Sequence, residues 1–389
     1  MITDKRIMNR IGLFSFFAGA GFLDLGFERT QGFHTIFVNE YHKPFMDIYK
    51  LNIPDPEFGF STEDICEFMA PSNSKIILEN IQSAKKKFDL IGFIGGPPCP
   101  DFSIGGKNKG VSGENGKLSR TFIELIIQNQ PDFFLFENVK GLYRTKKHRT
   151  FFEEIKVSLI SNGYLITEKL INAIEFGVPQ DRERIILIGF NQNTLKDKGL
   201  DISNRIISKE FTWDLKTIFN KEEIFSLEFQ IDSNRTMPLN VEKRLTVQYW
   251  FDKNDVLNHP NSTHHFQPRA GLPKFQTISE GDDLKKSYKR LHRWRYSPTA
   301  AYGNNEVHLH PYKARRISAA EALAIQSLPK EFYIPEYISL SNMFKTIGNG
   351  VPYLAAKGLA ESTINFLNKN LTHQPAYAKA YGEQSGSLH

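Results

Sequence analysis

The sequence predicts an α/β fold built on a Rossmann-like sheet, and three observations lead to this prediction. Apolar, strand-type runs alternate with segments of helical spacing, and the runs begin at Ile11, Phe33, Leu90 and Phe133. Two of the runs end in glycine-rich turns, and open α/β sheets bind ligands at the carboxyl ends of their strands. The chain has 389 residues, 40% of them hydrophobic, which suits either two domains or one large domain with an insertion.

Charge and cysteine content narrow the class of protein. Lys and Arg total 49 and Asp and Glu total 43, so the net charge is +6. This suits a polyanionic partner, although many basic proteins bind no nucleic acid. The two cysteines, Cys66 and Cys99, indicate free thiols in a reducing compartment. Because the chain lacks a signal-peptide core and any apolar run of about 18 residues, we expect a cytoplasmic protein with no membrane span.

The first strand leads into a glycine turn and the start of a helix, within residues 11–28. Gly19 and Gly21 allow the backbone to approach a ligand closely, and the helix N-terminus offers free N–H groups. A lone Gly-x-Gly more often marks only a tight turn. A second strand, Phe33–Asn39, ends at Glu40, about 20 residues after the glycines, where an acid commonly holds ribose hydroxyls. Together the two features indicate a nucleoside cofactor.

The third strand leads to a cysteine that is presented on a stiff loop. The run from Phe88 ends in Gly95-Gly96, and Pro97 and Pro98 lead directly into Cys99. The glycines permit a tight turn, and the prolines hold the chain extended. A free cysteine is often just a small buried hydrophobe. Its place at the end of a buried strand instead favours an activated nucleophile.

A polar segment follows this cysteine, Gly105–Leu118, and it carries Lys107, Lys109 and Lys117. It can be a mobile surface loop or a lid that closes over a phosphate backbone. We favour the lid, since it lies beside the predicted nucleophile.

The next elements carry one carboxylate and two arginines. Leu118–Gln130 and 150–162 have helical spacing, and Phe133–Phe136 is a buried strand followed by Glu137. A single Glu there can be a capping group, but several polar strand ends converge on the same edge of the predicted sheet. Gln-Asp-Arg-Glu-Arg ends at Arg184, before the strand Ile185–Phe190. Alternation along a strand would place its two arginines on one face, although a charged strand edge that blocks aggregation is the alternative.

The regular alternation stops after residue 190, which indicates a smaller inserted domain. Its segment Lys285–Arg295 holds six basic residues interleaved with Tyr288 and Trp294. Such runs are usually solvated faces, but interleaved aromatics favour contact with phosphates or bases. Four histidines lack the spacing of zinc ligands, so we predict no metal site; they are His264, His265, His308 and His310.

The last segments return to helical structure. In Arg315–Pro329, Ser318 is a predicted N-cap and Glu321 the acid of a capping box. A last helix is predicted to start at Gly348–Pro352 and to fold back on the first domain. Residues after about 370 are small and polar and read as a frayed tail.

These motifs together resemble those of the cytosine-5 DNA methyltransferases, mostly bacterial enzymes of restriction-modification systems. The family's catalytic loop is similar to Gly-Gly-Pro-Pro-Cys-x-x-Phe-Ser, which ends here at Ser103. The family usually has Gln after the Cys, where this chain has Pro100. Glu137-Asn-Val and Gln180-x-Arg-x-Arg follow in the family's order, and the resemblance runs from residue 11 to about 360.

The resemblance implies an S-adenosylmethionine site. In the family, a Phe-Ala-Gly-x-Gly turn binds the cofactor, an acid like Glu40 takes the ribose, and an Asp like Asp64 meets the adenine amino group. A Gly-Asn-Ala-Val motif, similar to the segment around Asn349, reaches the cofactor through its Asn. The predicted cofactor-binding residues are Phe17, Ala18, Gly19, Ala20, Gly21, Glu40, Asp64, Ile65, Pro98, Asn349 and Val351.

The resemblance also implies the chemistry. The family's cysteine adds to carbon 6 of a cytosine, its Glu bonds the edge at nitrogen 3, and its second Arg points at the carbonyl oxygen. The predicted catalytic residues are Cys99, Glu137, Arg184 and, as a supporting contact, Arg182. The ring face is inaccessible in a duplex, so the base must be flipped out.

The insert corresponds to the family's target-recognition region, whose closing segment has a Thr that contacts the backbone at the target base. The predicted DNA-binding residues are Ser103, Lys107, Lys109, Arg293, Arg295 and Thr299. We expect a catalytic domain over 1–190, a recognition domain over 191–340, a returning helix over 341–370 and a tail over 371–389. We further expect a nucleoid-associated bacterial monomer acting on double-stranded DNA, with a cognate restriction endonuclease that shares its site without stable binding.

Three alternatives stay open at this point. The same fold can methylate a tRNA cytosine, a non-catalytic relative can bind DNA alone, and a nucleotide-dependent oxidoreductase can share the first two motifs. An intact set of Cys99, Glu137 and Arg184 disfavours the second, and the third leaves the Pro-Pro-Cys turn unexplained.

Overall fold

The computed structural model describes residues 10–98, 114–197, 207–217, 226–268, 271–284, 287–300, 302 and 307–371, with the backbone alone at 114, 115, 370 and 371. Cys99, Ser103, Lys107 and Lys109 lie outside these ranges, as do the expected lid before residue 114 and the expected tail.

One seven-stranded sheet organises the chain. Its strands are β1 (Ile11–Phe16), β2 (Phe33–Asn39), β3 (Phe60–Ser61), β4 (Leu90–Gly95), β5 (Phe133–Val139), β6 (Tyr164–Asn172) and β7 (Glu183–Asn191). The order across the sheet is β3-β2-β1-β4-β5-β7-β6, and β7 runs antiparallel to both neighbours. The order reverses between β1 and β4, which is the position of the ligand crevice in open α/β sheets.

Helices cover both faces of this sheet. They are α1 (Phe22–Glu28), α2 (Lys43–Asn52), α3 (Pro71–Ala84), α4 (Glu114–Asn129), α5 (Lys140–Arg144), α6 (Lys146–Ser161), α7 (Gln192–Asp197), α8 (Ile207–Glu210), α9 (Val247–Lys253), α10 (Leu272–Thr277), α11 (Ala319–Ile325), α12 (Leu340–Asn349) and α13 (Tyr353–Leu371). Short 3₁₀ helices span Ile65–Met69, Ala173–Phe176 and Lys243–Leu245.

The strands are buried on both sides, as continuous apolar runs require. One face packs against α3, α4 and α6, and the other packs against α1 and α13. A third apolar cluster joins α2 and the turn after β1 to α9, α11 and α12. The predicted inserted segment therefore shares a continuous core with the start of the chain.

The carboxyl end of the sheet forms a level row. Phe16 pairs with Asn39 on one side and with Gly95 on the other, and Gly95 pairs with Phe136. The residues that follow each of these positions therefore emerge at one edge, which confirms the predicted convergence of polar strand ends.

Several predicted boundaries shift. Helix α4 begins at Glu114, so Lys117 lies in a helix and not in the loop before it. Strand β5 continues to Val139, and β7 starts at Glu183, one residue after Arg182. The returning segment is two helices, since α12 ends at Asn349 before α13 begins. The capping box of Ser318 and Glu321 on α11 is confirmed.

Helix α13 packs on α1, as the predicted return to the first half of the chain requires. The contact needs a glycine, because a Cβ on Gly26 would lie 2.4 Å from the Cβ of Ala356. Among the described residues, no helix is both long and apolar enough to cross a membrane.

Candidate active site

The turn after β1 forms the first wall of the site. Phe17, Gly19 and Gly21 have φ of 55°, 59° and 81°, a region that only glycine enters freely. A Cβ on Gly21 would lie 2.1 Å from Ile53, whereas one on Gly19 would meet no atom of the described residues within 4 Å. Gly21 is thus required for packing against the core, while Gly19 faces open space where a ligand can approach the backbone.

Glu40 holds this turn against the end of β2. Its Oε2 accepts from the N–H of Gly19 at 2.8 Å, and its Oε1 accepts from the N–H of His42 at 2.7 Å. Burial raises the pKa of Glu40, and these two hydrogen bonds oppose that shift. The acid therefore ties together the two loops that the sequence predicted to bind one nucleoside.

Two neighbours of Glu40 complete this wall. The side-chain amide of Asn39 donates to the carbonyl of Glu63 at 2.9 Å, which fixes the loop that carries Asp64. Tyr41 is 70% exposed at the same edge. An exposed aromatic ring beside a ribose-binding acid can stack on a nucleobase. Tyr41 was not among the predicted site residues, although it directly follows the Asn-Glu pair in the sequence.

Of the remaining predicted cofactor residues, Pro98 is exposed at the end of the loop after β4, and four others divide into two groups. Asp64 is partly exposed, and its Oδ1 caps the following 3₁₀ helix by accepting from the N–H of Cys66 at 2.8 Å. Asn349 is exposed at the end of α12. The side chains of Ile65 and Val351 are buried in the core, so only their backbones can face a ligand.

Asn349 is brought toward the glycine turn by tight packing. A Cβ on Gly350 would lie 2.2 Å from the ring of Phe22, the first residue of α1. Ala18 and Ala20 of the turn share a core cluster with Ile347 of α12. The end of α12 is therefore next to the start of α1.

The loop after β4 is held against the end of β5. A Cβ on Gly96 would lie 2.7 Å from Oε2 of Glu137, so a side chain here would require the carboxylate or the loop to move. The side-chain amide of Asn138 donates to the carbonyl of Pro97 at 3.4 Å. The backbone that leads to Cys99 thus starts beside the Glu137 carboxylate.

Glu137 and Arg184 form the central charged pair. Their strands pair antiparallel, and Nε of Arg184 lies 2.9 Å from Oε1 of Glu137. Both side chains are largely buried, at 9% and 15% exposure. Burial raises the pKa of Glu137, and the positive charges of Arg184 and then Arg182 oppose this shift. The arrangement offers a carboxyl that can be protonated near a fixed guanidinium.

Arg182 is fully buried, and its guanidinium donates hydrogen bonds to backbone carbonyls. Its Nη1 donates to the carbonyl of Ala300 at 3.0 Å, and its Nη2 donates to the carbonyl of Gly348 at 2.8 Å. This fits the supporting role that the resemblance implied and does not fit direct contact with substrate.

Thr299 lies on the surface next to this arginine. Its hydroxyl donates to the carbonyl of Asp181 at 2.6 Å, which attaches the closing segment of the insert to the strand of Arg184. Thr299 is exposed, so its remaining surface can reach a ligand.

The basic segment before Thr299 differs from expectation. Arg293 is 3% exposed and forms a double contact with Glu280, through Nε at 2.8 Å and Nη2 at 2.9 Å. Arg290 is fully buried and bonded to backbone carbonyls. Arg293 therefore stabilises the interior of the insert, and this buried position does not fit the expected direct contact with DNA. The side chain of Arg295 is also largely buried, at 11% exposure, and its Nη2 pairs with Oδ2 of Asp283 at 2.8 Å. Direct contact between Arg295 and DNA therefore does not fit this placement either.

Two of the histidines near the end of the insert are also internal. His308 and His310 are buried, and burial lowers the pKa of each to about 3. Across the described ranges, no three His, Cys, Asp or Glu side chains gather closely enough to hold a metal ion.

Comparison with known proteins gives a consistent picture. The model of the C-5 cytosine-specific DNA methylase family matches residues 11–365. The Type II methyltransferase M.NmeDI of Neisseria meningitidis serogroup C is 58% identical over 366 residues, covering 92% of this chain and 84% of that protein. The Type II methyltransferase M.FnuDI of Fusobacterium nucleatum is 31% identical over 372 residues, covering 90% and 94%.

A solved structure shares the fold. The crystal structure of a DNA modification methyltransferase encoded within an Escherichia coli prophage has a TM-score of 0.64 and 24% identity, and the match covers 92% of this chain and 99% of that one. The predicted α/β, Rossmann-like methyltransferase fold is thereby confirmed.

Proposed function

The chain belongs to the C-5 cytosine-specific DNA methylase family and is a DNA cytosine-5 methyltransferase of the Type II kind, and from this premise we propose its mechanism. We propose that it methylates a cytosine flipped out of duplex DNA, through a covalent bond between Cys99 and carbon 6. The observation that carries the proposal is the buried Glu137–Arg184 pair, 2.9 Å apart, beside the loop that leads to Cys99.

The reaction needs activation of the base, because carbon 5 of cytosine is a poor nucleophile. The Cys99 thiolate forms a bond to carbon 6, and the electron pair of the ring double bond moves toward nitrogen 3 and the carbonyl oxygen. Carbon 5 then acts as the nucleophile of an enamine. After methylation, loss of the carbon 5 proton restores the double bond and expels the thiolate.

Glu137 and Arg184 are placed to stabilise the charge that builds in the ring. A protonated Glu137 can donate to nitrogen 3, and the raised pKa of this buried carboxyl favours that form. The guanidinium of Arg184 is fixed beside Glu137, where its positive charge can stabilise negative charge on the carbonyl oxygen of the cytosine. Low exposure strengthens both interactions, since water is largely excluded.

The first wall of the site fits S-adenosylmethionine, the methyl donor used generally in this family. The open space at Gly19, the acid Glu40 and the exposed ring of Tyr41 match a nucleoside, and Asp64 and Asn349 stand at the same edge. When bound, the cofactor supplies an electrophilic methyl group on a sulfonium. The chain's part is to hold the nucleoside through Glu40 and to keep the turn of Phe17–Gly21 in its left-handed conformation.

We propose that DNA is contacted from two segments, one within the described residues and one outside them. Thr299 is exposed and can contact the phosphate backbone, and Ser103, Lys107 and Lys109 are proposed to do so from the segment after Cys99. The division into 1–190, 191–340 and 341–370 stays a proposal, supported by the sheet ending at Asn191 and by α13 returning to α1. A cognate endonuclease acting on the same site, in a restriction-modification system, is part of the same proposal.

The test traps the covalent intermediate. The protein is incubated with labelled S-adenosylmethionine and duplex DNA that contains 5-fluorocytosine. Fluorine cannot leave as a proton does, so the expected result is a denaturation-resistant, labelled adduct. Cys99→Ser should abolish it, while Cys66→Ser, which removes the other cysteine, should still form it.

The outcomes separate the alternatives. An adduct that persists in Cys99→Ser would contradict the assigned nucleophile. An adduct on tRNA but not on duplex DNA of mixed sequence would overturn the proposed substrate. Binding of DNA without any adduct on either nucleic acid would overturn the proposed mechanism.

A further inference from the structure

Two buried glutamines lie between the proposed DNA-contacting and cofactor-contacting segments. Gln180 and Gln326 are both 0% exposed, although they are 146 residues apart in the chain. Gln180 precedes the strand of Arg184, and Gln326 is the C-cap of α11. Buried amides that large are costly unless their polar atoms are paired.

Their hydrogen bonds form one continuous chain. The N–H of Ala300 donates to Oε1 of Gln180 at 3.0 Å, and Nε2 of Gln180 donates to Oε1 of Gln326 at 3.2 Å. Nε2 of Gln326 in turn donates to the carbonyl of Ile347. Every step runs donor to acceptor in the same direction, so each bond can polarise the next.

The two ends of this chain of hydrogen bonds lie next to residues with proposed ligand contacts. Ala300 directly follows Thr299, and Ile347 lies two residues before Asn349 in the last turn of α12. The bridge between Gln180 and Ser297, and the N–H of Asp181 donating to Ser297 at 2.8 Å, hold the first end to the strand of Arg184.

The C-terminus of α12 is capped by this network. A helix leaves its last four carbonyls without intrahelical partners. Here the carbonyl of Thr346 accepts from the N–H of Gly350 at 3.0 Å, and that of Ile347 accepts from Gln326. Those of Gly348 and Asn349 accept from Arg182, at 2.8 and 3.4 Å. A cation is also the favourable charge at this end of a helix.

We infer that Gln180 and Gln326 are positioning residues, which set the register between Thr299 on the DNA side and Asn349 on the cofactor side. This inference rests on the proposed function, because it takes the roles of these two contacts from there. The glutamines touch neither ligand and act through the backbone of Ala300 and Ile347. Without either one, the end of α12 and the closing segment of the insert are joined through Arg182 but no longer through the glutamines. The methyl donor and the target carbon are then held in line less precisely.

The test compares the loss of a buried amide side chain at these two positions with the loss of one elsewhere, in variants expected to lower the stability of the protein by similar amounts. Gln326→Met and Gln180→Met keep side-chain length and remove the hydrogen bonds. The control is Asn261→Leu, because Asn261 is also 0% exposed and exchanges two hydrogen bonds, at 2.7 and 2.8 Å, with Ile334, away from both contacts. For each variant, kcat, the KM for DNA and for S-adenosylmethionine, the Kd of each ligand alone, and Tm are measured.

Positioning predicts a specific pattern. Each Gln→Met variant should lose about 10- to 100-fold in kcat, while the Kd of each ligand alone changes less than about threefold. The double variant should be little worse than either single one, since both break the same chain. Asn261→Leu should lower Tm by a similar amount and keep kcat within about threefold of the wild type.

Two results would overturn the inference. One is a kcat within about threefold of the wild type in Gln326→Met; the other is an equal loss of kcat in Asn261→Leu. If Gln326→Met does not fold, Gln326→Asn, which keeps an amide but cannot span both partners, is measured in its place against the same control. A wild-type protein that methylates no DNA would refute the proposed function itself, independently of the variants.

Discussion

At the scale of single residues, the chemistry depends on what surrounds each group. Glu137 was recognisable in the sequence as a carboxylate at a strand end, but its raised pKa and its partner could not be read there. Arg184 is 47 residues further along and reaches it only because β5 and β7 pair antiparallel. Arg293 shows the reverse case, because a basic, aromatic-rich run looks like a binding surface until Glu280 is found facing it inside the protein.

Asp24 supports a prediction about stability and pH. It is fully buried on α1, the hydroxyl of Tyr49 donates to its Oδ1 at 3.0 Å, and burial raises the pKa of Asp24 to about 7. Because the folded-state pKa is raised, the folded protein holds this proton more tightly than the unfolded chain does. The contribution to stability is therefore full below about pH 4 and is lost as the pH rises through about 7.

Asp24→Asn stays neutral at every pH and should escape that loss. Relative to the wild type, its free energy of unfolding should rise by on the order of 2 kcal/mol between about pH 5 and about pH 8, as measured by urea denaturation. The exposed Asp55→Asn is the control and should show no such change. An Asp24→Asn difference that is flat with pH would contradict the buried, proton-holding role.

At the scale of elements, the sequence predicted a helix end correctly where the hydrogen bonds that form it join residues close in the chain. The capping box on α11 was predicted from Ser318 and Glu321, and both of its hydrogen bonds are present, at 3.2 and 2.8 Å. The start of α4 was placed too late, because Gly116 and Lys117 were read as part of a loop although they lie within the helix. The split between α12 and α13 was missed: the chain is extended at Gly350, where α12 ends, and Pro352 follows before α13 begins.

The loop after β4 gives an element-scale prediction. In Gly96→Ala, the new Cβ would lie 2.7 Å from Oε2 of Glu137, so the carboxylate or the loop that leads to Cys99 must move. We expect kcat to fall about 10- to 100-fold, because displacement of a reacting group by about 1 Å has that effect. Steady-state methylation assays and a thermal melt would measure this.

Gly271→Ala provides the comparison for Gly96→Ala. Gly271 has a φ of −86°, and a Cβ there would lie 3.3 Å from the edge of the Phe275 ring, so the substitution requires only a small shift of that ring and leaves Glu137 in place. If Gly96→Ala were as active as Gly271→Ala, the close approach of loop and carboxylate would not matter for the reaction.

At the scale of the whole molecule, the inserted segment is not a separately packed domain. Residues of α9 and α11 share one apolar cluster with Tyr49 of α2 and Ala18 of the glycine turn. Arg182, Gln180 and Gln326 then add polar links across the same boundary. Both apolar packing and polar hydrogen bonds therefore join the inserted segment to the start of the chain.

The net charge of +6 leads to a prediction for the whole protein. Binding to duplex DNA should weaken steeply with salt, with log K falling by about 0.9 per phosphate contact for each unit of log salt concentration. Binding of S-adenosylhomocysteine should change little over the same range. Fluorescence anisotropy for DNA and calorimetry for the small ligand would measure both, and equal salt dependence of the two would contradict a phosphate-contacting surface.

The sequence by itself determined the strands, the glycine turns and the motifs at the strand ends, because each depends on residues that are close in the chain. Hydrophobic runs specify buried strands, and Gly19, Glu40 and the Gly-Gly-Pro-Pro turn carry their meaning in a few neighbouring positions. Only the tertiary structure decided which groups the charged side chains contact, as at Arg293, Arg182 and Glu137. It alone joined Gln180 to Gln326, because a hydrogen bond across 146 residues leaves no periodic or local signal, and its strength depends on a burial that only the packed molecule creates.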